Sequence, residues 1–267
     1  MGRFNHFRNK FLRIDKRYRF AISTIILTFL MLVSTFFPFY FWILFVPIFI
    51  LVTYALTYFS ILEDIEHLEW FGLFVMPVLV TVAFYFFYFL FPGRWLTRIP
   101  FISLYGISIY AMLLCSNIFN VGVEKSLQLY RAAFSVNFFY HAIVSFFLFN
   151  ILFSLQQLFL VNAVASGAVG FVLGLHLFWT IKLNLQWERE VVQYATLVAV
   201  ILAELALIIS FLPLKIPIYA LVLAAGYYCL VGLIYHYIDQ RLFKETIREY
   251  LTVFGFVGII AILSLNW

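Results

Sequence analysis

Runs of roughly 20 mainly apolar residues follow one another from residue 20 to the end of the chain, the length a helix needs to cross about 30 Å of hydrocarbon. Lipid offers no partner to backbone N–H and C=O groups, so a segment inside it must satisfy them internally. The runs fall near residues 20–37, 39–60, 71–91, 99–119, 132–153, 158–181, 192–212, 215–237 and 250–266. They predict an all-α fold, an integral membrane bundle of about nine transmembrane helices. A basic segment at 1–19 precedes a single transmembrane domain at 20–267. Composition agrees: 66% of residues are hydrophobic and 11% charged, against about a quarter charged in a soluble domain. The first two runs meet at Phe37-Pro38-Phe39, which demands a tight hairpin that proline can supply. A re-entrant pair there would leave the downstream orientation unchanged.

Charge placement orients the bundle. With the N-terminus cytoplasmic, fourteen of the seventeen Lys and Arg residues fall inside, leaving Arg94, Arg98 and Lys215 outside. The C-terminus is then outside. Eleven of the twelve acids also lie inside, Glu204 being the exception. The formal charge of +5 sits mostly in the first nineteen residues, beside a hydrophobic run. There it predicts contact with anionic lipid headgroups rather than nucleic acid. Trp42, Trp70, Trp95, Trp179, Trp187 and Trp267 fall close to the ends of runs, as an interfacial aromatic belt requires. The first run is long, continues into a second and lacks small-x-small spacing near Phe36–Tyr40, so it is expected to be retained. Cys115 and Cys229 have no ligand or disulfide spacing and read as small core residues.

Ionisable and amide side chains inside lipid need a reason to be there. Glu204 is the one acid well inside a run, and Gln193, Thr196 and Val200 share its helical face. It reads either as a proton-carrying or cation-binding carboxyl on a transport path, or as a protonated group bonded to a neighbouring helix. Asn137, His141 and Ser145 align on the fifth run, Asn162, Ser166 and His176 on the sixth, and Ser103, Gly106, Tyr110 and Asn117 on the fourth. These stripes are expected to face the protein interior, where amides and imidazoles find partners. His141, His176 and Glu204 lie at depths of roughly 14, 8 and 18 Å from the inner end of their runs, too spread for one metal ion. No metal or cofactor is therefore expected. Ser166, Gly170 and Gly174 form a small-xxx-small ladder that predicts close helix packing.

The cytoplasmic segment Glu63–Trp70 holds four carboxylates, a histidine and no Lys or Arg. Glu63, Glu66 and His67 would share one helical turn and form a weak catalytic candidate at the inner leaflet. Pairing of these acids with Arg131, Arg189 or Arg248 is the plainer reading. Leu242, Phe243 and Ile247 predict a short amphipathic helix on the inner surface. No P-loop, GxSxG, HExxH or dinucleotide fingerprint occurs. Leu129-Tyr-Arg-Ala-Ala opens a Phe-rich run in a loop-poor, nine-span chain. In this the chain resembles uncharacterised polytopic inner-membrane proteins of candidate-phylum bacteria, which implies a bacterial cytoplasmic membrane and no particular activity.

Three functions remain open. The first is a non-enzymatic membrane protein that binds or transports a lipid, a small solute or a protein partner, including a second copy of itself. The others are a proton-coupled transporter using Glu204 and His141, and an interfacial lipid-modifying enzyme acting through Glu63–Trp70. The spans hold too few polar residues for a wide aqueous route and no catalytic motif, which favours the first.

Overall fold

The structure is a computed structural model and describes residues 15–61, 70–121, 127–182 and 188–265. Among these residues the chain is all helical, with no strand. The helices are α1 (Lys16–Ser34), α2 (Trp42–Ile61), α3 (Trp70–Tyr88), α4 (Trp95–Val121), α5 (Leu127–Ser154), α6 (Phe159–Lys182), α7 (Arg189–Ile209), α8 (Ile216–Ile238) and α9 (Lys244–Leu263). Eight of them are long and apolar enough to cross a membrane, and a shorter apolar helix is described over Gly72–Tyr88 in α3. The described residues thus form an all-α set of apolar helices, one for each run in the sequence and eight of them membrane-length.

Helix ends depart from the hydropathy limits where charge can reach water. α1 begins at Lys16 and takes in Arg17 and Arg19. α9 begins at Lys244, so Ile247 belongs to a spanning helix rather than to a separate surface helix. No Gly or Pro separates Lys244 from the apolar run, and the helical ladder simply continues. α8 stops at a left-handed residue, Gln240, at φ 55°. The Arg241 N–H bonds the His236 carbonyl (2.9 Å) and the Gln240 N–H bonds that of Tyr237 (3.1 Å), the crossed pattern that closes helix C-termini.

Contacts divide the chain into two units, one through Asn137 and one from Phe138 onward. In the first unit, Phe39–Phe41 forms a 3-10 turn after Pro38 and closes the α1–α2 hairpin. The Ser60 hydroxyl reaches Ser23 Oγ (2.9 Å) and the Leu56 carbonyl (2.8 Å), which ties the two helices together. Arg19 is fully buried, and its guanidinium lies 3.5 Å from the Phe59 carbonyl in the last turn of α2. The partial negative charge of a helix C-terminus suits a cation there. Thr81 joins α3 to Tyr105 of α4 (3.1 Å) and to Thr53 of α2 (3.4 Å).

In the second unit, α6 and α7 make the most extensive helix–helix contact of the described residues. The close approach runs through glycines. A methyl on Gly167 would lie 2.9 Å from the Ala199 carbonyl oxygen, and one on Gly170 would lie 2.5 Å from Leu202 Cδ1. One on Gly174 would meet Ala195 at 3.7 Å. Gly170 and Gly174 of the small-residue ladder therefore face α7, with Gly167 closest to its backbone. Ser166 is buried.

Candidate functional site

The polar stripes separate by face. Asn137, His141 and Ser145 on α5 are buried, as are Asn162, Ser166 and His176 on α6. The α4 stripe does not follow the same rule. Ser103 and Tyr110 are exposed, and Tyr105, Ser108, Met112 and Ser116 fill the buried face instead. Ser103 can face outward because its hydroxyl donates to the Ile99 carbonyl of its own helix (3.0 Å), so it needs no partner from another helix. Trp179, expected in an interfacial belt, is buried beside His176 with ring centroids 6.1 Å apart. Trp42 and Trp95 are exposed.

His141 and His176 meet. The His176 Nδ1 lies 3.0 Å from the His141 Nε2, and the rings stack at 5.1 Å with 19° between their planes. Both side chains are buried within the second unit. One nitrogen donates and the other accepts, so a neutral pair is satisfied along that edge. No group of three or more potential metal ligands occurs among the described residues.

Glu204 lies elsewhere. Together with Gln193, Thr196 and Val200 it forms an outward-facing stripe on α7. It lines a cleft of about 360 Å³ between α7, α8 and α9. Ile201, Leu205, Ile208, Leu230, Leu233 and Leu251 make most of the wall, with Gly226, Cys229 and Phe254 completing it. Gly226 lets Leu205 close the floor, since a methyl there would lie 2.9 Å from Leu205 Cδ2. The Cys229 thiol is turned to the Tyr250 carbonyl (3.1 Å). Among the described residues the Glu204 carboxyl has no hydrogen-bond or ion-pair partner. The cleft wall includes neither His141 nor His176. The acid cluster Glu63, Glu66 and His67 lies outside the described residues.

The sequence singled out Glu204 but not the rest of this wall. Residues of α8 and α9 such as Leu230 and Phe254 are ordinary apolar positions, and only the tertiary contact brings them to the carboxyl. A second missed site is where the ends of α1, α3 and α4 meet. There the Arg98 guanidinium bonds Tyr88 Oη (3.1 Å) and the Thr35 carbonyl (3.2 Å). It also stands 4.5 Å from the Phe36 ring and 5.1 Å from that of Trp95.

A family described as "Protein of unknown function (DUF5656)" matches residues 65–264. The chain belongs to this family. The matched segment holds α3 through α9, and with them the histidine pair, the α6–α7 glycines and the Glu204 cleft. The α1–α2 hairpin precedes it. No curated protein matches the chain, and no solved structure does.

Proposed function

We propose that this DUF5656 member is a multi-pass protein of a bacterial cytoplasmic membrane that binds an apolar molecule, entering sideways from the bilayer, in the α7–α8–α9 cleft. It does so without catalysing a reaction. The observation that carries this reading is the cleft itself: about 360 Å³ of apolar wall with one carboxyl, open on a membrane-length helix face. That volume is at the lower end of the roughly 300–1,000 Å³ typical of small-molecule sites. An apolar wall with one polar anchor is the usual make-up of such a site, the wall giving affinity and the anchor orientation. The charge asymmetry supports an N-terminus inside and a C-terminus outside. On that orientation the basic start of the chain, including exposed Arg17, meets the anionic inner leaflet. A transport path through both Glu204 and His141 has less support, because the histidine pair is buried away from the cleft wall.

A photoreactive alkyl probe tests the reading in protein held in lipid nanodiscs. Cross-links mapped by mass spectrometry are expected on Ile201, Leu205, Leu230, Leu233, Leu251 and Phe254, and Leu230→Trp should remove them by filling the space. Labelling spread evenly over all outward helix faces, and unchanged by Leu230→Trp, would sink the proposal.

A further inference from the structure

The single carboxyl in the cleft narrows the chemistry of what enters. Nine of the ten wall residues offer no free polar group, so Glu204 is the one polar anchor a ligand can reach. It lies about 22 Å along α7 from Arg189, well within the hydrocarbon. The Lys and Arg residues of the second unit that the structure describes are Lys182, Arg189, Lys215, Arg241, Lys244 and Arg248, all at helix ends or in turns. None stands at the depth of Glu204 to compensate it, and the Cys229 hydrogen is already given to Tyr250. A carboxylate at that depth is costly without a counter-charge, and a cation seated in the cleft would supply one.

We propose that the cleft takes a lipophilic amine, an alkyl chain ending in a protonated nitrogen, with the Glu204 carboxylate as its counter-ion. This deepens the reading of the cleft as a binding site and rests on it. Two features favour a cation over a neutral alcohol. A charge-assisted hydrogen bond is about twice as strong as a neutral one, and the low dielectric of the bilayer magnifies the Coulomb attraction. The Phe254 ring belongs to the same wall, and an aromatic face attracts a cation but gives a hydroxyl little. The alkyl part then lies along Leu230, Leu233 and Leu251.

The test uses the full chain in phosphatidylcholine nanodiscs, with empty nanodiscs subtracted. Radiolabelled dodecylamine and dodecanol share a chain and differ in the head. The intact protein is expected to bind the amine about tenfold more tightly than the alcohol. Glu204→Gln keeps the shape of the side chain and should abolish that preference. Glu204→Asp should retain part of it, and both variants are compared with the parent by thermal unfolding to establish that they fold. Equal binding of amine and alcohol, or an amine preference that survives Glu204→Gln, overturns the amine assignment but leaves the cleft as a binding site. Binding of neither probe overturns both. If Glu204→Cys then cross-links two copies through a disulfide, the face belongs to a second copy of the chain instead.

Discussion

Arg98 is gripped from four sides, by Tyr88, Thr35, Phe36 and Trp95, and it joins the ends of three helices. Each hydrogen bond contributes about 1 kcal/mol and each half-exposed cation–ring contact about 0.5–1 kcal/mol. Arg98→Ala should therefore destabilise the protein by about 3–4 kcal/mol, and Arg98→Lys should recover less than half, since an ammonium lacks the planar fork that serves both acceptors at once. Reversible unfolding in mixed detergent micelles measures both. Equal stability of the parent and Arg98→Ala would reduce the clamp to a surface contact. In the sequence Arg98 is only one of three cations on the wrong side of a tally, because Thr35 and Phe36 lie some sixty residues upstream and no local spacing reveals them. Glu204 was visible as an isolated acid. Its direction was not, because a helix with apolar protein on one side and apolar lipid on the other has little to fix its rotation except packing shape.

At the scale of the element, the α6–α7 seam shows how far a motif can be read. Gly170-x-x-x-Gly174 marks a helix that packs closely, and both glycines do face α7. The motif does not reveal that Gly167 comes nearest the partner backbone, because that depends on the crossing angle and on the small residues Ala199 and Ala203 opposite. Backbone cannot move aside as a side-chain tip can. Gly167→Ala should cost about 1–3 kcal/mol through overpacking against the Ala199 carbonyl. Gly174→Ala places its methyl at ordinary contact distance and removes helical glycine entropy, so it should be neutral or stabilise by about 0.5–1 kcal/mol. The same unfolding measurement compares the two, and a reversed order would show that the seam is looser than the distances imply. Two members of the α4 stripe depart from the expectation for a related reason. Ser103 and Tyr110 look like groups that need the interior, yet a serine bonds its own helix and a tyrosine tolerates an outward position. Asn137, His141, Asn162 and His176, whose side chains cannot close on their own helix so readily, are buried as expected.

For the whole molecule, the nine helices of the described residues are legible because their signal is length and hydropathy, which need no partner to be recognised. The cleft was not, since it exists only where three of those helices converge. Orientation is a third kind of property, carried by charge placement rather than by packing, and it is open to a direct test. In a background with Cys115 and Cys229 replaced by alanine, single cysteines at Gly93, Lys215 and Gln240 probe three exposed turns. An impermeant thiol reagent added to intact cells should label Gly93→Cys and Lys215→Cys. Gln240→Cys should react only after permeabilisation. Labelling of all three in intact cells would mean that the α8–α9 turn is outside and that α8 or a neighbour does not cross. The opposite pattern would invert the protein, leaving fourteen of its seventeen cations outside, against the rule that sets membrane topology. The expected pattern also fixes the depth scale for the cleft. With the α8–α9 turn inside and Lys215 outside, Glu204 lies nearer the outer leaflet, and a cation reaching it from the cytoplasmic side has most of the hydrocarbon to cross. An amine that arrives there comes through the bilayer itself, along the open face of α7.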